Sequence, residues 1–201
     1  SNYYRASLIY FSSNEEVWGM IYGEIFMNLE RSSKRTGEIS KLIYDTYKSE
    51  IKYSSVSPAT VSFSKSTKAI ISEKQGPEVK ILPFGTGIYE PLLLQSVLSE
   101  NSIDINSLDR IRQNFIDLYF KTGNNRQYPN ALFDYQYKVF KAGHMEAYNH
   151  WLLRKGNADE FEKWYNSNEE KWDNFIKWFT DNRLKIDINS KFSKKHYENV
   201  D

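Results

Sequence analysis

The stretch INSLDRIRQNFIDLYFKTG, residues 105–123, carries the clearest helical pattern in the chain. Apolar residues recur in it at intervals of three and four, the repeat that brings side chains to one face of an α-helix. These residues are Leu108, Ile111, Phe115 and Leu118. Asn106 or Ser107 is expected to cap the start of the helix, and Gly123 to end it. The stretch therefore predicts an amphipathic helix that packs one face against a core.

Similar patterns continue on both sides of this helix. Residues 12–30 and 37–51 show the same spacing, and PLLLQSVLSEN at 91–101 begins with a proline suited to a first helical turn. A helix pair is predicted over 131–156 with a break at or near Gly143, followed by two helices headed by the capping signatures of Asn157 and Ser167. About eight helices joined by short polar turns favour antiparallel neighbours.

One segment lacks the helical spacing of apolar residues. Apolar and polar residues alternate in TVSFS at 60–64 and in EVKIL at 78–82, and EKQGPE at 73–78 is typical of a turn. We therefore predict a mainly α fold of antiparallel helix hairpins, forming a helical array or bundle, with a small β-hairpin inserted around residues 59–82. Residues 1–184 are expected to form this single domain, and residues 185–201 a polar tail with partial disorder.

Composition limits the classes of function. Of 201 residues, 27 are basic and 26 acidic, and the resulting net charge of +1 offers no field that would attract nucleic acid or an anionic membrane. The absence of cysteine excludes disulfides, thiolate catalysis and cysteine metal sites. No apolar run approaches the ~20 residues of a membrane-spanning helix. No cofactor is expected.

Two of the three histidines lie close together in the chain, beside a glutamate. Residues in a helix turn by ~100° each, so His144 and His150 point in different directions and are not expected to share a metal. Glu146 and His150 have the i, i+4 spacing of a ligand pair, but together they supply only two ligands. Neither G-x-S-x-G nor H-E-x-x-H occurs. We predict no metal site and no catalytic residues here, and expect His144 and His150 to have structural roles.

Two features of the sequence are candidates for ligand binding. Gly85 and Gly87 flank Thr86 just before a predicted helix, and free amides at a helix N-terminus bind phosphate; the alternative is a simple exit from the β-hairpin. Aromatic residues make up 16% of the chain, and at helical spacing they are expected mainly in the core, although some could line a groove. Trp18, Trp164 and Trp178 lie beside the main apolar stripes of their helices and are the candidates for an exposed binding platform.

The sequence FDYQYKVFKAGHMEAYNHWLLRKGN, residues 133–157, resembles a tetratricopeptide hairpin, and the likeness extends over residues 130–184. It shares an aromatic first helix, a glycine at the turn and the small Ala147 where two helices touch. Gly143 and Ala147 are four residues apart here and five in the family, and no second copy follows at the family's period. The resemblance implies stacked helix hairpins that bind partner segments on a concave face, and it implies no catalytic residue.

These observations favour a non-enzymatic helical scaffold or binding module for a protein, peptide or glycan. The alternative is an enzyme whose site combines dispersed carboxylates with His144 near the loop Pro83–Gly87. The chain starts at SNYY without a methionine, which a removed signal peptide or a shortened chain would explain. We expect an exported, periplasmic or cell-envelope setting in a bacterium.

Overall fold

The computed structural model describes residues 2–54, 59–65, 70–71, 80–81, 83–186 and 192–197. The fold in this part of the chain is mainly α, as predicted, with ten α-helices and four two-residue strands. The helices are α1 (Asn2–Phe11), α2 (Glu16–Leu29), α3 (Lys34–Glu50), α4 (Glu90–Val97), α5 (Ile105–Lys121), α6 (Asn124–Gln127), α7 (Ala131–Lys141), α8 (Met145–Leu153), α9 (Ala158–Asn166) and α10 (Glu169–Asp181). Consecutive helices pack as pairs: α1 with α2, α2 with α3, α4 with α5, α7 with α8, and α9 with α10.

Helix α2 runs through the centre of the N-terminal half, and nearly all its side chains are buried. Two glycines let its neighbours approach closely: a Cβ at Gly19 would lie 2.8 Å from the Phe11 backbone nitrogen, and one at Gly23 would lie 2.9 Å from Ile39 Cγ2. Phe11 ends α1, a helix that the sequence pattern did not predict. The close packing against α2 explains why this segment is helical despite its many residues of low helix propensity.

The strands form two separate two-stranded antiparallel sheets. β1 (Ile51–Lys52) pairs with β2 (Thr60–Val61), and β3 (Ile70–Ile71) pairs with β4 (Lys80–Ile81). The predicted small β-hairpin is therefore confirmed, and within residues 59–82 it is formed by β3 and β4, because β2 pairs with β1, directly after α3. The turn predicted at 73–78 lies outside the described residues.

Helix α5, which carries the clearest helical pattern in the sequence, is capped two or three residues earlier than predicted. Asp104 precedes it and accepts a hydrogen bond from the Ser107 amide at 2.7 Å, while the Ser107 hydroxyl accepts one from the Asp104 amide at 2.9 Å. This reciprocal capping box replaces the predicted cap at Asn106 or Ser107. Gly123 and Gly143 end α5 and α7 with φ angles of 75° and 78°, a backbone conformation that favours glycine.

Helix α8 is the hub of the C-terminal half, where it packs against α3, α5, α7 and α10. Half of the aromatic residues predicted to fill the core around it are buried (Tyr135, Tyr148, Trp151, Trp164, Phe175 and Phe179), and the other half are partly exposed. Residues 192–197, which belong to the predicted polar tail, also join the core. Phe192 is 5% exposed, and the Tyr3 hydroxyl donates a 3.0 Å hydrogen bond to its carbonyl oxygen. Among the described residues, no helix has both the length and the apolar character needed to span a membrane.

Candidate functional site

A buried polar cluster joins the two halves of the fold, centred on an ion pair between Glu24 of α2 and Arg112 of α5. Arg112 Nη2 lies 2.6 Å from Glu24 Oε1, and the two side chains are only 7% and 4% exposed. Arg112 also donates from Nη1 to the Tyr47 hydroxyl at 2.9 Å and from Nε to Asn149 Oδ1 at 2.7 Å. Arg112 thus donates to three side chains from three different helices: Glu24 of α2, Tyr47 of α3 and Asn149 of α8.

The carboxylate of Glu24 is held from two further directions. Its Oε1 accepts hydrogen bonds from Gln136 Nε2 at 2.6 Å and from the Tyr148 hydroxyl at 2.7 Å. Asn28, one turn further along α2, donates from Nδ2 to the same Tyr148 hydroxyl at 2.7 Å. A buried charge is tolerated when it is paired and hydrogen-bonded, and Glu24 meets both conditions.

The charges in this cluster shape the pKa of Arg112 and of the tyrosines around it. Burial alone would lower the pKa of Arg112, but the charge of Glu24 and the Tyr47 and Tyr148 hydroxyls raise it above its usual value. Burial raises the pKa of Tyr148 and of neighbouring Tyr89 well above 10. The cluster is therefore a fixed pair of opposite charges surrounded by neutral hydroxyls.

A small cavity borders this cluster and has a volume of about 20 Å³. Its polar lining comes from Glu24, Tyr47, Tyr89, Arg112 and Gln136, and its other walls are apolar. Such a space holds about one water molecule, whereas sites for organic ligands measure ~300–1,000 Å³. Convergent polar groups are present here, but the cavity has no room for an organic substrate.

Asp109 is the one group near the cluster that is poised to titrate. It lies on α5, is 6% exposed, and accepts hydrogen bonds from Asn149 Nδ2 at 2.7 Å and from Gln113 Nε2 at 2.9 Å. Burial raises the pKa of Asp109 to about 6, against the lowering effect of these two donors. A second ionisable group thus adjoins the Glu24–Arg112 pair through the side chain of Asn149.

Two of the three tryptophans expected on an exposed platform are buried. Trp18 is 0% exposed, and rings including those of Tyr22, Phe84 and Phe192 surround it at 5.7–6.2 Å. Trp164 is 8% exposed and stacks on the His150 ring with 4.0 Å between centroids. Both therefore fill the core, which corrects the prediction that they face a ligand.

Trp178, the third of these tryptophans, is partly exposed. Its ring lies 5.2 Å from the His144 ring, and Lys138 Nζ is 5.7 Å from its centroid. It remains a candidate contact residue at the edge of α10. His144 itself precedes α8 and is partly buried, and burial lowers its pKa.

The loop predicted to bind phosphate forms a turn of π-helix, from Gly85 to Tyr89, that leads into α4. Its amides are used internally: Gly87 donates to the Pro83 carbonyl at 2.8 Å, and Glu90 donates to the Gly85 carbonyl. Gly85 is buried, and a Cβ there would lie 2.6 Å from Ser64 Cβ. Gly85 is therefore needed for close packing, and Thr86 and Gly87 lie within the same closed turn.

The charges around this turn also oppose an anion. The Glu90 carboxylate accepts a 2.6 Å hydrogen bond from the Ser64 amide, the kind of donor that phosphate would need. Burial raises the pKa of Glu90, and the nearby Glu15 and Glu50 raise it further. Phosphate binding at Gly85, Thr86 and Gly87 stays a prediction of the sequence, and in the structure the Glu90 carboxylate lies beside this turn.

His150 is buried, whereas its position beside Glu146 in the sequence predicted an exposed or half-buried side chain. It is 1% exposed, its Nδ1 lies 2.9 Å from the Glu146 carbonyl oxygen, and its Nε2 lies 3.2 Å from Asn106 Oδ1. Burial lowers the pKa of His150. Within the described residues, no group of three or more histidine, aspartate or glutamate side chains is arranged to hold a metal ion.

The outer side of the last hairpin, α9–α10, carries a set of partly exposed rings. Phe161, Tyr165 and Trp172 contact one another, with 5.3 Å between the Phe161 and Trp172 centroids and 5.9 Å between those of Tyr165 and Trp172. Ile176, one turn beyond Trp172, is 37% exposed. We call these four residues the aromatic face.

Carboxylates border the aromatic face. Glu162 and Asp173 follow Phe161 and Trp172 directly in the chain, and Glu169 stands one helical turn before Asp173. All three are exposed, and none makes an ion pair with another residue that the structure describes. We call them the acidic rim.

The hairpin is fixed to the rest of the fold by Glu146 of α8. Its Oε1 accepts a 2.8 Å hydrogen bond from Trp164 Nε1 of α9, and its Oε2 pairs with Lys171 Nζ of α10 at 2.6 Å. One carboxylate thus holds both helices of the hairpin, with the buried Trp164 inside and the aromatic face outside.

Comparison of the chain with protein families, curated proteins and solved structures finds no match.

Proposed function

We propose that the chain is a helical scaffold that binds a protein or peptide partner without chemical change, and that the partner docks on the aromatic face. The observation that carries this proposal is the contact set of Phe161, Tyr165 and Trp172, three rings that pack on one another yet stay partly exposed beside Ile176. Aromatic residues dominate the energetic centres of protein interfaces because each buries a large area with few rotatable bonds.

The buried polar cluster around Glu24 and Arg112 supports the proposal because it leaves no room for a substrate. Its ion pair is enclosed, and its cavity of about 20 Å³ leaves no room for a substrate beside Glu24 and Arg112. The rival enzyme site near the loop Pro83–Gly87 stays a prediction of the sequence: Thr86 and Glu90 border a cavity of about 250 Å³ there, and the Gly87 amide is bonded to the Pro83 carbonyl at 2.8 Å. The tetratricopeptide likeness and the exported setting remain predictions of the sequence.

Peptide selection combined with fluorine NMR tests the proposal. Short random peptides are selected on the immobilised protein and then titrated into protein labelled with fluorotryptophan, whose five tryptophans give separable signals. The signal of Trp172, assigned from Trp172→Phe, is expected to shift on binding, and that of the fully buried Trp18 to stay in place.

A matched pair of surface variants localises the binding. Ile176→Arg places a bulky charge on the aromatic face and is expected to weaken binding at least about ten-fold, as loss of an interface anchor does. Leu98→Arg changes a 55% exposed leucine directly after α4 and is expected to leave binding unchanged. Selected peptides that bind both variants equally, or that leave the Trp172 signal unmoved, would contradict the proposed surface.

A further inference from the structure

The charge of the α9–α10 hairpin differs from that of the rest of the chain. Residues 158–181 contain seven acidic and three basic residues, a net charge of −4, whereas the whole chain carries +1. Acidic residues in a first turn stabilise the positive end of the helix dipole, which accounts for those that begin α9 and α10. Glu162 and Asp173 lie beyond the first turn of their helices, so the dipole does not account for them.

Within the described residues, the acidic rim makes no ion pair with Lys163 or Lys177, the other two lysines of the hairpin. Lys171, the basic residue nearest to the middle of the hairpin in sequence, is paired with Glu146 of α8 at 2.6 Å. Glu162, Glu169 and Asp173 make no ion pair within the described part of the chain. Three solvated carboxylates around a set of rings thus present negative charge and apolar surface side by side.

The chain itself shows how such a surface holds a cation. Two helical turns beyond Trp172 on α10, the guanidinium of Arg31 lies 3.5 Å from the centroid of Phe179 and donates a 2.6 Å hydrogen bond to the Phe179 carbonyl oxygen. Cations over aromatic rings gain ~0.5–1 kcal/mol at exposed sites, and a neighbouring carboxylate adds to the attraction. Trp172 and Tyr165 offer ring surface of the same kind to an incoming side chain.

Resting on the proposed function, we infer that the partner segment is cationic: an extended peptide in which lysine or arginine alternates with aliphatic residues. The aliphatic side chains contact Phe161, Trp172 and Ile176, and the cations meet the acidic rim. Glu169 and Asp173 stand one helical turn apart, a rise of ~6 Å, and every second residue of an extended strand is separated by ~6.6 Å. Alternating cations therefore match the spacing of these carboxylates, whereas a neutral glycan leaves them unpaired.

Three peptides of equal length test this inference: Gly-Lys-Leu-Lys-Leu-Lys-Gly and versions with glutamine or glutamate in place of every lysine. Cellohexaose serves as the neutral glycan probe. The lysine peptide is expected to shift the Trp172 fluorine signal and to bind more weakly as salt rises, because exposed charge pairs are screened. The glutamine peptide is expected to bind about ten-fold more weakly, and the glutamate peptide not to bind.

Two double variants separate the rim from the net charge of the hairpin. Glu162→Gln with Asp173→Asn removes rim carboxylates, and we expect a loss of affinity for the lysine peptide of about five- to ten-fold, as for two exposed ion pairs. Glu170→Gln with Asp181→Asn removes the same charge from the far side of α10, and we expect a change of less than about two-fold.

The outcomes distinguish this inference from the proposed function. Equal affinity for the lysine and glutamine peptides, or tighter binding of cellohexaose, overturns the cationic partner and leaves the aromatic face as a binding surface. Equal losses in the two double variants also overturn it, because the rim would then act only through net charge. If neither the probes nor any selected peptide shifts the Trp172 signal, both the aromatic face as a binding surface and the cationic partner are contradicted.

Discussion

Arg112 and Asp109, one turn apart on α5, are joined through a single amide side chain. Asn149 Oδ1 accepts a 2.7 Å hydrogen bond from Arg112 Nε, while Asn149 Nδ2 donates a 2.7 Å hydrogen bond to Asp109 Oδ1. The orientation of this amide is fixed because Arg112 can only donate and an ionised Asp109 can only accept. A cation and an acid of raised pKa thus share one buried connection between α5 and α8.

Removing Arg112 should strongly destabilise the fold. In Arg112→Met the Glu24 carboxylate loses its charge partner while remaining buried, and breaking a buried pair in this way costs about 3–5 kcal/mol. Arg110→Met provides the control on the same helix, because Arg110 is 55% exposed and pairs with Glu100 at the surface, where a pair is worth about 1 kcal/mol or less. Urea denaturation measures both; equal losses would show that the buried pair has no special weight.

Asp109 should make stability fall as pH rises. Its folded pKa of about 6 lies above its unfolded value near 3.8, so the folded state holds the proton more tightly. The resulting stabilisation is full below about pH 4 and is lost as pH rises through 6, a change of about 3 kcal/mol for a shift of about two units. Denaturation between pH 4.5 and 7.5 should show a weaker decline in Asp109→Asn than in the parent protein.

Asp117→Asn is the control for this pH dependence. Asp117 lies on the same helix, but its side chain is 34% exposed and pairs with Lys121 at the surface. This variant is expected to keep the slope of the parent protein over the same pH range. A slope that is unchanged in Asp109→Asn, or equally altered in both variants, would assign the pH dependence to other groups.

Gly85 should tolerate no side chain, for reasons of packing. In Gly85→Ala the new Cβ would lie 2.6 Å from Ser64 Cβ and 3.2 Å from Val17 Cγ1, and overpacking of this kind costs about 1–3 kcal/mol. At Gly37, within α3, the nearest atom to a new Cβ is Lys155 Cγ at 3.7 Å, so Gly37→Ala should be neutral or stabilise by up to about 1 kcal/mol. Thermal unfolding of both variants gives the comparison, and a neutral Gly85→Ala would refute the packing role.

Phe192 should contribute to the core although it lies in the predicted polar tail. It is 5% exposed, and its ring lies 6.2 Å from that of Trp18 and 5.5 Å from that of Tyr197. Phe192→Ala is expected to cost about 3 kcal/mol or more, as removal of a buried ring does. Leu98→Ala, at a 55% exposed site, should change stability by less than about 0.5 kcal/mol. A melting temperature that Phe192→Ala leaves unchanged would contradict this role in the core.

The sequence predicted the helices well because apolar periodicity reports directly which face is buried. It wrongly predicted that Trp18 and Trp164 are exposed, because the position of a residue around its own helix does not show how many other elements surround that helix. Helix α2 is buried on nearly all sides, so a residue beside its main stripe is as enclosed as one on it. The aromatic face was not predicted for the related reason that Phe161 and Trp172 have the same spacing as core aromatics.

The polar cluster was not predicted, although a signal for it was present. Glu24 and Asn28 continue the spacing of Val17 and Ile21 along α2, and so occupy positions expected to be apolar. Arg112 likewise falls four residues after Leu108 and three before Phe115, within the stripe that defines α5. Polar residues at core positions indicate a buried network, but their partners on other helices cannot be read from one helix alone.

The partners of Arg112 come from positions 24, 47 and 149, which span most of the chain. A fragment ending after α3 would contain the carboxylate without its cation, and a fragment starting at α4 would contain the cation without its carboxylate. Each fragment would contain one charge of the ion pair without its partner, so neither fragment is expected to fold alone. Unfolding should therefore proceed as a single cooperative transition, with both halves losing their structure at the same denaturant concentration.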